Sequence, residues 1–266
     1  MLWRTAILAA VMAAPAVLAL ADELPNPLVN GPTWDALRYD IAGDDPIADG
    51  AGLFEVDAPY RAHDAATVPV RITQLDPSRT ITKATVIIDE NPAPVAGEFT
   101  FGTAMAPLDF ELRVRVNQYS DLRVIAETPQ GLAMTGRFVK ASGGCAAPAS
   151  RDPELALASM GQMKLKTFGG DPGGRREAQV MIRHPNYSGL QRDQVTHLFI
   201  PAHFISELEV RQGGDLLFRM EGGISISENP AFRFSYADDG SPTLTVTATD
   251  TEGNTFRQEL PKDSAS

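Results

Sequence analysis

The chain has 266 residues, one cysteine and a formal net charge of −11 at pH 7. A single cysteine excludes an internal disulfide, and a pI near 4.8 argues against nucleic acid and anionic membrane surfaces as partners. A chain of this length buries a sizeable core without covalent staples.

Met1-Leu2-Trp3-Arg4 reads as a short basic start, Thr5 to Leu18 as an apolar run, and Ala19-Leu20-Ala21 as a small-residue cleavage site. The apolar run is shorter than the roughly 20 residues a membrane span needs. Residues 1–21 are therefore expected to be a removed export leader, so the mature protein is expected to be exported and not inserted in a membrane. Losing Arg4 takes the net charge to −12 and leaves about 245 residues. That length suits two domains or one large β domain.

After the leader, Trp34, Leu37 and Ile41 fall three and four apart, which predicts a short amphipathic helix, with Thr33 as its N-cap. Strands follow. Val68–Ile72, Ile81–Ile88, Phe99–Phe101, Phe110–Val116, Leu122–Ala126 and Ala133–Val139 are β-branched or alternating runs divided by turn residues. Residues 141–162 are small, polar and proline-punctuated at first, then turn into a short helix from Pro153 to Gln162. A second strand series comprises Gln179–Arg183, Leu198–Ile200, Phe204–Val210, Leu216–Met220, Phe232–Tyr236 and Leu244–Thr249. Its hairpin turns are Gln212–Asp215 and Asp238–Gly240, with Thr251–Asn254 after the last run. The fold expected is all-β: two immunoglobulin-like antiparallel sandwiches, residues 22–140 and 163–266, joined by residues 141–162.

Cys145 sits in Ser142-Gly143-Gly144-Cys145-Ala146-Ala147-Pro148, a stretch too small-sided to pack as a core strand. Gly143 and Gly144 free the backbone just before the sulfur, so the segment is expected to be a slim arm that exposes the thiol. The nearest basic side chains in sequence are Lys140 and Arg151, so the sequence shows no built-in activator. An unpaired thiol in an exported protein reads as a point of covalent attachment rather than as a catalytic nucleophile.

The remaining candidates are weaker. His63, His184, His197 and His203 show no metal-ligand spacing, and no cofactor-binding motif is present. A soft Cu(I) site from Cys145, Met160 and Met163 is a second reading, with core packing the simpler account of both methionines. Asp89-Glu90 before Asn91-Pro92 reads as a solvated turn. Asn186-Tyr187-Ser188 fits a glycosylation sequon.

Six pieces carry a resemblance. Val68–Ile72, then Ile87-Ile88-Asp89-Glu90-Asn91-Pro92 with Phe99–Gly102, and then Gly143-Gly144-Cys145 resemble the SoxY subunit of the bacterial sulfur-oxidation carrier. Arg183-His184-Pro185, Ile200-Pro201-Ala202-His203-Phe204-Ile205 and Ile226–Pro230 resemble its partner SoxZ. The resemblance implies a fused, periplasmic SoxYZ-like carrier of two immunoglobulin-like domains. It implies that Cys145 holds sulfur intermediates, thiosulfate-derived ones among them, through an S–S bond, with Gly143 and Gly144 as the hinge of a swinging arm. The implied partners are sulfur-oxidation enzymes or a quinoprotein dehydrogenase system. His203 falls in a family motif, and packing at the domain interface is expected of it. The family's arm closes its subunit as Gly-Gly-Cys-Gly-Gly, whereas Ala146-Ala147-Pro148 follows here and the chain continues. The alternative to a covalent carrier is an accessory module that docks on a periplasmic quinoprotein dehydrogenase through its sandwich surfaces.

Overall fold

In a computed structural model of the protein, residues 28–148, 153–170 and 174–262 are described. The expected export leader lies outside them. The first half contains α1 (Pro32–Ala42) and strands β1 (Ile47–Asp49), β2 (Phe54–Asp57), β3 (Val68–Gln74), β4 (Lys83–Ile88), β5 (Val95–Phe101), β6 (Asp109–Val114), β7 (Ser120–Thr128) and β8 (Gly131–Val139). After the short helix α2 (Pro153–Ala158) come β9 (Met163–Phe168), β10 (Arg175–Ile182), β11 (Ile205–Gln212), β12 (Asp215–Gly222), β13 (Ala231–Ala237), β14 (Thr243–Asp250) and β15 (Thr255–Pro261). The all-β expectation holds. Among the described residues no helix is long and apolar enough to cross a membrane.

Alternation explains most strands. Along β14 every second side chain, from Leu244 to Asp250, is buried, as a one-sided sheet requires. β4 departs from this, being buried on both faces. The cause is α1, whose Trp34 covers Ile87 and Ile125 on the outside of the sheet, flanked by Leu37 and Ile41. The helix begins with Pro32 after Gly31, so Thr33 lies within its first turn and is not its cap.

The two halves are joined by more than a linker. One sheet runs β1-β8-β7-β4-β5-β12-β11-β14-β15 and the other β2-β3-β6-β13-β10-β9. The halves meet where β5 pairs antiparallel with β12, Phe101 opposite Phe218, and where β6 pairs with β13, Phe110 opposite Phe234. Both sheets therefore continue across the junction, and one hydrophobic core spans them. Phe110 lies at the seam, with ring centroids 5.1 Å from both Phe99 and Phe218. Gly102 permits the approach, because a Cβ there would stand 1.8 Å from the Leu216 carbonyl oxygen. Residues 198–200, expected as a strand, lie in the long β10–β11 connection, with Leu198 and Phe199 exposed and a single bridge from Phe199 to Arg192. The short β1 and β2 and the final β15 were not legible as strands in the sequence.

Candidate functional site

Cys145 corrects the first expectation of an exposed thiol. It sits in one turn of 3-10 helix, Gly144–Ala146, just after β8, and is fully buried. The arm itself is shallow: Ser142, Gly143, Ala146 and Pro148 are exposed, and only the thiol side turns inward. Backbone bonds hold it there. Gly143 N–H donates to Asn117 O at 2.9 Å and Gly144 N–H to Val116 O at 3.0 Å. The two glycines have different uses. Gly143 is left-handed (φ +79°) with open space around it, so it turns the chain. Gly144 is pressed flat, since a Cβ there would meet Ala65 O at 2.0 Å and Val116 O at 2.7 Å. In this pose the pair seats the arm, and Gly144 is a contact surface.

The second half closes over the arm. Ser188 Oγ–H donates to Cys145 O, and Gln191 Nε2–H donates to Ala147 O at 3.1 Å. Gln191 Oε1 in turn accepts from Ser188 N–H at 3.1 Å, which fixes both clasping side chains together. Asn186 anchors the start of this loop with a left-handed backbone (φ +43°). Its side-chain oxygen accepts from Ile205 N–H at 3.1 Å, and its amide donates to Ser227 O at 3.2 Å. Asn186 is fully buried and its amide is spent on these bonds, so the sequon reading fails on access. The sequence singled out neither Ser188 nor Gln191 as a contact, because nothing local marks a side chain that bonds a backbone some 45 residues upstream.

A buried cation lies in the same place. Arg115 is 1% exposed, and its Nη1 donates to Ile224 O at 3.1 Å and to Ile226 O at 2.5 Å. Asn186 also reaches Ile226 O, at 3.5 Å, so the guanidinium adjoins the clasp loop. The Nε–H of Arg115 has no hydrogen-bond acceptor among the described residues. Burial pushes the Cys145 thiol up, and the charge of Arg115 opposes that rise. Burial likewise lowers Arg115, with Cys145 and Glu228 opposing. Burial raises Glu228 against the pull of Arg115, Asn229 and Arg183. Glu228 also lines a groove of about 300 Å³ with Arg183, Asn229 and Gln162. Asn91 braces the arginine's backbone: its amide donates to Arg115 O at 2.7 Å and to Ser225 Oγ at 2.8 Å.

The turn beginning at Asp89 is not solvated. Asp89 and Asn91 are buried, and Asp89 holds the fully buried Arg123, whose Nε lies 3.0 and 2.9 Å from the two carboxylate oxygens. Burial lifts Asp89 to about 6, with Arg123 opposing. The ring of Trp34 covers the other side of Arg123, 4.5 Å from its Cζ.

His184, His203 and Asp250 gather although their spacing gave no sign of it, with ligand-type atoms within 4.8 Å of one another. Their hydrogen bonds fit a braced carboxylate better than a metal centre. His184 Nδ1 accepts from Asn186 N–H at 3.1 Å, so its proton lies on Nε2 and faces Asp250 Oδ2 at 3.4 Å. His203 Nε2 meets the same oxygen at 2.8 Å, and Asn254 Nδ2 donates to it at 2.9 Å. Burial works to raise Asp250, yet the bonds from Asn254, His203 and His184 outweigh it and hold the carboxyl at about 2. Burial lowers His184. His203 thus braces the interior of the second half. Met163, considered with Cys145 for copper, packs against the sandwich core.

Residues 38–145 match the family model "Sulfur oxidation protein SoxY", and residues 168–261 match "Sulphur oxidation protein SoxZ". The first match ends on Cys145. No curated protein matches the chain. Among solved structures the chain is similar to the sulfur carrier protein SoxY from Chlorobium limicola f thiosulfatophilum, at 25% identity and TM-score 0.34, over 41% of this chain and 94% of that one. It is also similar to a beta-glycosidase from Bacteroides vulgatus, at 10% identity and TM-score 0.25, over 78% of this chain and 24% of that one. The assignment rests on the two family matches, which follow one another along a single polypeptide. The chain joins a SoxY-family domain to a SoxZ-family domain and is a fused SoxYZ-like protein.

Proposed function

We propose that the protein is a periplasmic carrier of sulfur intermediates that binds them covalently on Cys145 and presents them to partner enzymes, without catalysing their conversion itself. The observation that carries this reading is the placement of the chain's only thiol. It closes the SoxY-family segment on a short arm held by a handful of hydrogen bonds rather than by an apolar core.

A buried thiol cannot be loaded where it lies, so loading requires the arm to leave its seat. The cost is modest. Among the described residues, the bonds of Gly143, Gly144, Ser188 and Gln191 hold the arm. Each contributes about 1 kcal/mol net, because water replaces the lost partner once the arm is exposed. Docked, the thiol is shielded and kept protonated by its burial, which protects a lone cysteine from unwanted oxidation. Undocked, it is an ordinary thiol on a tether. Partners that recognise both halves at the clasp gain access by displacing Ser188 and Gln191.

The test is intact mass of protein purified from cells turning over the pathway. Sulfur-containing adducts removable by reductant and missing from Cys145→Ser are expected. An unmodified mass in wild type under turnover, with full pathway activity in Cys145→Ser, would leave the accessory-module reading standing instead.

A further inference from the structure

The clasp loop continues into a small hairpin whose surface the fold does not explain. Gln191, whose side chain holds Ala147 O, is also the base of that hairpin. Its own carbonyl oxygen accepts from Ile200 N–H at 2.9 Å, and Arg192 bridges to Phe199 just inside. Asp193 braces the turn. Its Oδ1 accepts from Val195 N–H at 3.0 Å, Thr196 N–H at 2.6 Å and Thr196 Oγ1–H at 2.9 Å, and its carbonyl oxygen accepts from His197 N–H at 3.0 Å. None of these bonds needs an apolar side chain. Yet Val195, Leu198 and Phe199 are 86%, 69% and 59% exposed. A lone exposed leucine is ordinary, but three large apolar side chains within five residues of one braced turn form a patch.

We propose that this hairpin, residues 192–199, is the docking tip for the enzymes that load and unload Cys145, and that it seats in an apolar hollow on the enzyme surface. The inference rests on the carrier reading and assigns the surface by which that carrier is recognised. Continuity with the clasp favours this occupant. The residue that closes the hairpin holds Ala147 O and fixes Ser188, which holds Cys145 O. A protein gripping the tip therefore stands beside the exposed side of the arm. Size points the same way. Three side chains fall far short of the roughly 800 Å² per partner that a stable complex buries. A lasting dimer of this chain is disfavoured on that ground and by the self-repulsion of a net charge of −11. A small patch suits a carrier that must leave each enzyme after delivery.

The bracing gives the tip its use. A turn already ordered by Asp193 loses little conformational freedom when it binds. Burying Val195, Leu198 and Phe199 in a hollow recovers hydrophobic free energy that the free protein forgoes. Arg192 lies over the Phe199 ring, its Cζ 4.5 Å from the ring centroid, and sets a positive charge at the rim of the patch. A carboxylate beside the hollow would complete the fit.

The experiment replaces the wild type in its own cells with full-length protein carrying Val195→Ser, Leu198→Ser and Phe199→Ser together. The cells are starved of reduced sulfur and then given thiosulfate, and intact mass follows the rate at which Cys145 gains reductant-removable sulfur. The triple variant should load at least about tenfold more slowly than wild type, as loss of three apolar contacts requires. Phe199→Leu, which stays apolar, should load nearly as wild type does. The thermal melt and the thiol alkylation rate of the purified triple variant should match wild type, because the clasp bonds are untouched. Should alkylation speed up, the clasp has loosened, and Val195→Arg alone decides: it charges the turn without touching Gln191 and should slow loading several-fold. Wild-type loading rates in every variant would overturn the docking role and leave the carrier reading intact. No sulfur gained by the wild type would overturn both. A wild-type dimer in sedimentation velocity that the triple variant abolishes would give the patch to a second copy of the chain and overturn its assignment to an enzyme.

Discussion

Among the described residues of the first half two arginines are buried, and they are provided for differently. Arg123 has Asp89 on its Nε, Asp121 3.2 Å from its Nη2, the Val29 carbonyl and the face of Trp34. Arg115 has two backbone carbonyls and, among the described residues, no carboxylate in contact. Burying a charge costs several kcal/mol, which contact with two carboxylates offsets for Arg123 and no carboxylate contact among the described residues offsets for Arg115. Arg123 ties the N-terminal helix region to the sheet, and Arg115 ties the end of β6 to the carbonyls of Ile224 and Ile226.

The contrast can be broken first at Arg123. Arg123→Met strands Asp89 and Asp121 in the interior, and it should destabilise the protein by about 3 kcal/mol or more, read from the urea midpoint. Arg115→Met removes a cation that leaves no buried carboxylate bare, and should cost visibly less. Equal losses would mean that Arg115 is as structural as Arg123.

Asp89 sharpens the same point through pH. Its folded value is about 6 against an ordinary 3.8, so the folded protein holds this proton where the unfolded chain has released it. Stability from this group is therefore fully present below about pH 4 and lost as pH rises through 6. About two units correspond to about 3 kcal/mol between pH 4 and 7. The difference in urea stability between wild type and Asp89→Asn should carry that slope, and a flat difference would show that Arg123 already neutralises Asp89. Asp250, held at about 2, contributes the opposite slope below pH 4, where its bonds to the two histidines are lost as it protonates.

The arm gives the next effect. Gly144→Ala places a methyl 2.0 Å from Ala65 O, which backbone cannot yield, so the arm should stay undocked while the sandwich remains folded. Alkylation of Cys145 should then accelerate by about tenfold or more, as loss of a seat held by more than ~1.4 kcal/mol requires. Gly143→Ala meets no atom within 4 Å and strains only its φ of +79°, so its acceleration should be smaller. The reverse order would contradict the assignment of Gly144 as the seating surface.

What the sequence showed and what it hid follow from the range of the interactions. Strands such as β6 and β14 were legible because alternation is a local record of a one-sided sheet. The joining of the halves was not, because β5 pairing with β12 depends on two edges 120 residues apart and on Gly102 lying against Leu216. The small residues around Cys145 were read as mobility, yet smallness also serves close approach, and here Gly144 is small because Ala65 and Val116 leave no room. The turn at Asp89 looked solvated because its partners arrive from afar: Arg123 from the adjacent strand β7, and Arg115 from the end of β6 in the other sheet. His184, His203 and Asp250 meet only because the fold carries β10, the loop before β11 and β14 to one place, a convergence that spacing does not record.

The smallest effect tests the half of the clasp that the second domain supplies. Ser188 Oγ–H donates to Cys145 O while its backbone N–H is held by Gln191 Oε1. Ser188→Ala therefore deletes one bond to the arm and leaves the loop pinned by Asn186 and Gln191. One such bond contributes about 1 kcal/mol net, so the docked fraction should fall and thiol alkylation should rise about fivefold, with the urea midpoint nearly unchanged. Gln191→Ala removes the bond to Ala147 O and also frees Ser188, so it should rise at least as far. If both variants react at the wild-type rate while Gly144→Ala reacts faster, the first half alone seats the arm. Access to Cys145 would then be controlled from one side of the junction.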